Sequence, residues 1–234
     1  MTNQSQALPA IEASRMLSLP DVAYAEIREA IISYRLEPGS ELRQERIASQ
    51  LGISRLPVRD ALRRLEAEGL VILRPRRGFV VAEINREEIV DLFELRGVLE
   101  GKAGYLATIN RTEENVRRSE ELLLSMETEF VGSNLDVNRF SKLNAAFHDS
   151  LFSPARRPHL ERALRVTMGA CERYARMSMM LSKSLEASSV EHRHILDAYS
   201  AGNPENVARL CEEHCVGTGR RLLMNLEEKG LLDK

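Results

Sequence analysis

The chain has 234 residues, 43% of them hydrophobic and 29% charged. That is the balance of a water-soluble globular protein long enough for two cores, and no apolar run approaches the ~20 residues of a membrane span. The formal net charge is −2, which excludes a uniformly basic surface, and three cysteines exclude a fully paired disulfide framework and fit a reducing compartment. The first seventeen residues lack the basic start and apolar stretch of a secretory signal and read as a flexible tail over 1–17, with the cytoplasm as the expected location.

The small net charge conceals an asymmetry. Residues 1–82 hold 12 Arg, no Lys and 10 acids, a balance of +2, whereas the rest of the chain carries −4. Between Ser54 and Gly78 seven Arg stand against three acids. Guanidinium forks suit phosphates and guanine edges, which they grip bidentately.

In chain order, periodicity predicts helices over about 21–35, 43–51 and 55–68. Pro38-Gly39 separates the first two, and Gly52, tolerant of positive φ, separates the second from the third. Small Ala48 lets the second and third helices approach. Two strands follow, roughly 70–74 and 78–82, enclosing the basic turn Arg74 to Gly78 as a hairpin. This is the order of a winged helix-turn-helix over 18–82.

On the third helix Val58, Leu62 and Leu65 form a core stripe, while Arg55, Arg59 and Arg63 recur at i, i+4 and i+8 on another face. Ser54 stands at the N-cap, leaving Arg55 near the first turn to enter a major groove of double-stranded DNA. Arg74, Arg76 and Arg77 face phosphates or the minor groove from the wing.

From Asn85 onward every segment has helical period. Six helices are predicted, over about 86–109, 113–131, 137–152, 157–182, 189–201 and 204–229, with a seventh helix as an alternative count. The chain is thus mainly α, a winged helix-turn-helix followed by an all-α antiparallel bundle over 86–229. Asn144 and His148 lie one turn apart on one helical face, a spacing suited to gripping a metal ion, and antiparallel packing brings His192 and His214 toward the same interior. His194 points to another face, and His159, beside Pro158, reads as surface. Cys211 and Cys215 flank His214; a buried apolar pair is the stronger reading and a thiolate metal site the other.

The run Pro38-Gly39-Ser40-Glu41-Leu42, followed by Ile47 to Leu70 and by Arg76-Arg77-Gly78-Phe79-Val80, closely resembles the GntR family of bacterial transcription regulators. The resemblance spans almost all of 21–82. It implies that Ser54, Arg55 and Arg59 contact DNA, with Gly78 at the wing tip. Leu56 stands where the family usually has Thr and Asp60 where it has Glu, so one phosphate contact through a Thr hydroxyl is lost.

Residues 86–228 are similar to the helical FCD domain of that family's fatty-acid-regulator-like branch, through Leu95-Arg96-Gly97-Val98-Leu99-Glu100, Asn144 to Leu151 and Glu191 to Ala198. The resemblance implies that His148, His192 and His214 offer imidazoles to a divalent metal, zinc or nickel, with Asn144 at a position commonly Asp, and that Arg96 is a pocket arginine. Three neutral imidazoles and an amide leave the +2 of such an ion uncompensated, so a small carboxylate effector clamped by Arg96 is expected. The whole reads as a homodimer on a palindromic operator. A metal sensor whose signal is the ion itself is the alternative. A metal-dependent hydrolase is disfavoured, because Glu191 is the sole nearby candidate base and no HExxH spacing supports it, and no enzyme is expected.

Overall fold

A computed structural model of the chain describes residues 18–129, 136–181 and 186–232; the tail expected over 1–17 lies outside them. Helix α1 (Leu19–Ile32) starts two residues earlier than its periodicity suggests, because the Ser18 hydroxyl accepts from the Asp21 amide and Pro20 occupies the first turn. Helices α2 (Gln44–Leu51) and α3 (Arg55–Ala67) follow. The bend between them is made by Gly52 at φ 67°, whose amide donates to Ala48.

The wing strands are β2 (Val71–Arg74) and β3 (Gly78–Val81), paired antiparallel with Val71 opposite Val81 and Arg74 opposite Gly78. A third strand, β1 (Glu41–Leu42), adds to the outer edge of β3, Leu42 opposite Phe79, so the sheet order is β1-β3-β2 rather than a two-stranded hairpin. Ile27 and Ile31 of α1, Ala48 of α2, Val58, Leu62 and Leu65 of α3, and Leu42, Val71 and Phe79 of the sheet share one buried cluster.

Six further helices are seen among the described residues: α4 (Arg86–Asn110), α5 (Glu113–Thr128), α6 (Val137–Phe152), α7 (Pro158–Leu181), α8 (Glu186–Ala201) and α9 (Pro204–Glu228). A 3-10 turn at Ser153–Ala155 follows α6. Helix α5 runs to Thr128, residues 130–131 of its expected span lie outside the described residues, and α8 opens three residues before the expected 189. Asn85, Thr112, Asp136 and Asn203 each cap a following helix with a side-chain oxygen.

Helices α4 and α9 pack backbone to backbone. A methyl group at Gly101 would stand 3.0 Å from the Ala208 carbonyl oxygen, and one at Gly104 only 2.8 Å from Val207 Cγ1. The contact seats Arg96 of α4 in the same chamber as His214 of α9 and Glu100 against Cys215. The main bundle core runs through Leu123, Phe140, Phe147, Leu151, Ile195 and Tyr199. A smaller cluster of Ile89, Phe93, Tyr174, Met177, Leu222 and Leu226 also receives Tyr34 and Ile84 from the N-terminal side.

Helix α7 joins the two cores. Its Arg176 donates to both carboxylate oxygens of Glu29 on α1 at 3.2 and 3.1 Å, and its Glu172 accepts from Arg28 at 2.6 Å. Among the described residues no helix is long and apolar enough to cross a membrane.

Candidate DNA-reading face and candidate metal pocket

Helix α3 presents two faces. Val58, Leu62 and Leu65 have no exposed surface, whereas Arg55, Arg59 and Arg63 are exposed. Ser54 is the N-cap residue, yet its side chain makes no capping hydrogen bond, so its hydroxyl remains available at the tip of the helix. Arg55 is tied to Glu45 of α2 at 2.8 Å and Arg74 to Glu83 at 2.9 Å. Among the described residues Arg59, Arg63, Arg76 and Arg77 have no ion-pair partner. Gly78 at φ 76° and Arg76 at φ 67° turn the wing. Leu56 is 57% exposed beside Arg55, an apolar group on a face of cations.

The second site lies where α6, α8 and α9 meet. His148, His192 and His214 are buried, and one donor atom from each falls within 4.8 Å of the others, the single such histidine, cysteine and carboxylate group among the described residues. Both ring nitrogens of His148 and of His192 are buried without a hydrogen-bond partner. Buried nitrogens are ordinarily satisfied, and unpartnered imidazoles of which one nitrogen each, with one of His214, converges on a common point form a donor set that suits a cation. Burial, and after it Arg96 for His148 and His214 for His192, push both imidazoles well below their ordinary pKa and hold them neutral, the form that coordinates.

Two carboxylates border the imidazoles. Glu191 Oε2 lies 2.7 Å from His214 Nδ1, which leaves Nε2 as that ring's donor. Burial alone would raise the Glu191 carboxyl, but hydrogen bonds from His214 and Arg221 hold it below the usual range. Arg221 grips it bidentately at 2.6 and 2.9 Å. Glu100, fully buried, has Oε2 3.5 Å from His148 Nδ1 and accepts from Arg96 Nε at 2.5 Å through Oε1. The charge reasoning from sequence omitted both acids. Each is matched by an arginine, Arg96 or Arg221, so the fixed charges cancel and a divalent ion's charge remains unbalanced.

Asn144 and Arg96 line the same chamber as His214, Thr218 and Arg221, a space of about 50 Å³. Asn144 is half-buried and has no hydrogen-bond partner among the described residues. Arg96 is 5% exposed and commits only Nε to Glu100, leaving both terminal nitrogens for the chamber. Burial opposes its charge, and the Glu100 carboxylate more than restores it.

Cys211 and Cys215 are buried, and burial pushes both thiols well above their ordinary pKa, so they are protonated apolar fillers rather than thiolate ligands. His159 and His194 are exposed. Glu100 and Arg221 were not singled out from sequence. The i, i+4 spacing of Arg96 and Glu100 was a signal for the first; Arg221 offered none.

The pattern of the bacterial regulatory proteins of the gntR family matches residues 19–81, and that of the FCD domain matches residues 91–217. The chain is 32% identical over 208 residues to the "Probable D-xylose utilization operon transcriptional repressor" of Paenarthrobacter nicotinovorans, covering 86% of this chain and 88% of that protein. It is 29% identical over 164 residues to the Nta operon transcriptional regulator of Aminobacter aminovorans, covering 70% and 75%. Among solved structures, Escherichia coli McbR/YncC superposes with a TM-score of 0.69 at 23% identity, over 92% of this chain and all of that one, a likeness of fold. A GntR family member from Pseudomonas syringae pv. tomato superposes with a TM-score of 0.53 at 26% identity, over 90% and 88%. These families and relatives are transcription regulators, not enzymes. The chain belongs to the GntR family of DNA-binding transcription regulators, in the branch that carries an FCD domain.

Proposed function

We propose that the protein binds a palindromic operator as a homodimer through residues 18–82 and senses a small carboxylate in a metal-containing pocket of residues 86–229. In this reading Ser54, Arg55, Arg59 and Arg63 meet the major groove, and Arg74, Arg76, Arg77 and Gly78 the flanking backbone or minor groove. His148, His192 and His214 hold a divalent ion, zinc or nickel, with Asn144 beside them. An ion held there would supply a Lewis-acid point for an anion. Arg96, with both terminal nitrogens uncommitted, orients that anion. Coupling runs through α7, whose Ala175 and Ser178 line the chamber and whose Glu172 and Arg176 pair with α1.

The single observation that carries this reading is the convergence of one ring nitrogen from each of three buried histidines, within 4.8 Å of one another, beside a buried arginine. Thermal-shift screening of carboxylates against zinc-loaded, nickel-loaded and chelator-stripped protein tests it, together with binding to the DNA upstream of the protein's own gene. Stabilisation by an acid only when metal is present, with a matching change in DNA affinity, is the expected result. A second reading follows from the same nitrogens: the ion alone is the signal, and DNA affinity then changes with metal and ignores every acid.

A further inference from the structure

The chamber beside the imidazoles, at about 50 Å³, admits a carboxylate head and little else, while a cleft of about 720 Å³ opens from it. Arg96, Asn144, Ala175 and Met179 line both spaces and form the neck between them. Pockets that bind a whole organic ligand span roughly 300–1,000 Å³. The outer cleft is of that size and the inner chamber is far below it.

We propose that the effector is a carboxylate with an apolar body: its head enters the chamber at Arg96, and its body fills the outer cleft between α6, α7 and the DNA-reading head. The proposal rests on the metal-pocket reading above and adds the ligand's size, polarity and position.

Three observations carry it. The wall from α6 and α7 is largely apolar, with Ala145, Val166, Met168 and Ala170 among its residues. Gly169, in the middle of α7, lines the cleft, and a side chain there would meet nothing within 4 Å. A mid-helix glycine weakens a helix, so its counterpart here is the space it leaves open. Lastly, two of the cations at the cleft are unmatched, whereas both of its acids are engaged. Glu172 is paired with Arg28 at 2.6 Å and Glu68 accepts from Tyr24 at 2.7 Å, whereas Lys142 and Arg165 have no ion pair among the described residues. The field at the cleft mouth therefore favours an anion.

The far wall is built by Tyr24 and Arg28 of α1 and by Ala67 and Glu68 beside the C-terminal end of α3. An occupant thus touches the metal pocket at one end and the base of the recognition helix at the other. A head-only ligand such as acetate reaches the first and not the second.

The test is calorimetry on full-length protein loaded with zinc, and separately with nickel, titrated with acetate, butyrate, hexanoate and octanoate. Affinity is expected to rise on the order of 100-fold from butyrate to octanoate if the added methylenes are buried. Gly169→Phe should remove that gain and leave acetate unchanged, with Gly169→Ala as the folded control. Ala145→Phe, from the facing helix, serves if the α7 variant fails to fold. A flat series across chain lengths overturns the inference and leaves the metal-pocket reading standing. A gain that survives both Phe variants overturns the cleft as its location. Binding of no acid to either metal-loaded form overturns the metal-pocket reading, and the inference with it.

Discussion

The guanidinium of Arg173 on α7 donates to the backbone carbonyl of Ala82 at 3.2 Å, clamping the residue that follows the last wing strand. The same group donates to Glu88 at 2.9 Å and to the Tyr174 hydroxyl at 2.6 Å, and Arg173 is only 5% exposed. One buried side chain therefore fixes the end of β3 and the first turn of α4 to the helix that lines the chamber beside His214.

Replacing Arg173 by Ala should destabilise the protein by about 1–3 kcal/mol, because buried acceptors lose a charged donor. Urea unfolding measures this. DNA affinity should also lose its response to metal and carboxylate while the metal affinity itself stays within about threefold, since Arg173 is not among the residues of the chamber wall. A variant of unchanged stability with an intact response would show that the clamp transmits nothing.

On the DNA side, Arg59 is exposed and unpaired, so its guanidinium needs no rearrangement to engage a base edge. Arg59→Ala should cost about 1–3 kcal/mol of operator affinity and relax specificity at one position. Arg76→Ala and Arg77→Ala should instead weaken all sequences alike and lower the salt slope by about one each. Fluorescence anisotropy across a salt series separates the two behaviours. Undiminished specific binding by Arg59→Ala would remove it from the reading face.

The metal-free pocket should make stability pH-dependent. In the unfolded chain His148 and His192 take up protons below their ordinary value of 6.5, whereas in the folded protein burial keeps both neutral well below it. The unfolded state then binds more protons as pH falls, so stability is full above about pH 7 and declines below it. Stability should therefore fall between pH 7 and pH 5, with both histidines contributing to the loss. Urea melts in chelator at the two pH values check this, and His148→Ala should roughly halve the slope. A profile flat between pH 7 and 5 would mean the imidazoles are protonated in the fold.

These residues also mark how far sequence alone reaches. Arg55 to Ala67 was readable as a recognition helix because its apolar and basic positions have different phases of one period, and the histidine cluster because each imidazole sits on a regular helix. Strand β1 was not readable, since Glu41–Leu42 is too short to show alternation and exists only by pairing with β3. Glu100 and Arg221 acquire their places from helices distant in sequence, so the two acid–arginine pairs beside the imidazoles were not readable, although their charges cancel and leave the balance at the site unchanged. The glycines of α4 carry no signal of their own in the sequence, and only the close approach of α9 gives them a structural role.

That last contrast gives the sharpest expectation about stability. Gly101 and Gly169 both lie inside helices, and by propensity alone Ala would improve either by about 1 kcal/mol. At Gly169 a methyl group meets open space, so Gly169→Ala should raise stability by about 0.5–1 kcal/mol. At Gly101 it would meet the Ala208 carbonyl oxygen at 3.0 Å, a backbone atom held within α9, so relief requires the two helices to part. Gly101→Ala should therefore lower stability by about 1–3 kcal/mol. Because α4 carries Arg96 and Glu100 and α9 carries His214, parting them should also weaken zinc binding, which Gly169→Ala should leave alone. Urea midpoints and zinc titrations on the two variants give opposite signs in the first measurement and a loss in only one of the second. Equal shifts would mean that the α4–α9 contact does not set the geometry of the pocket.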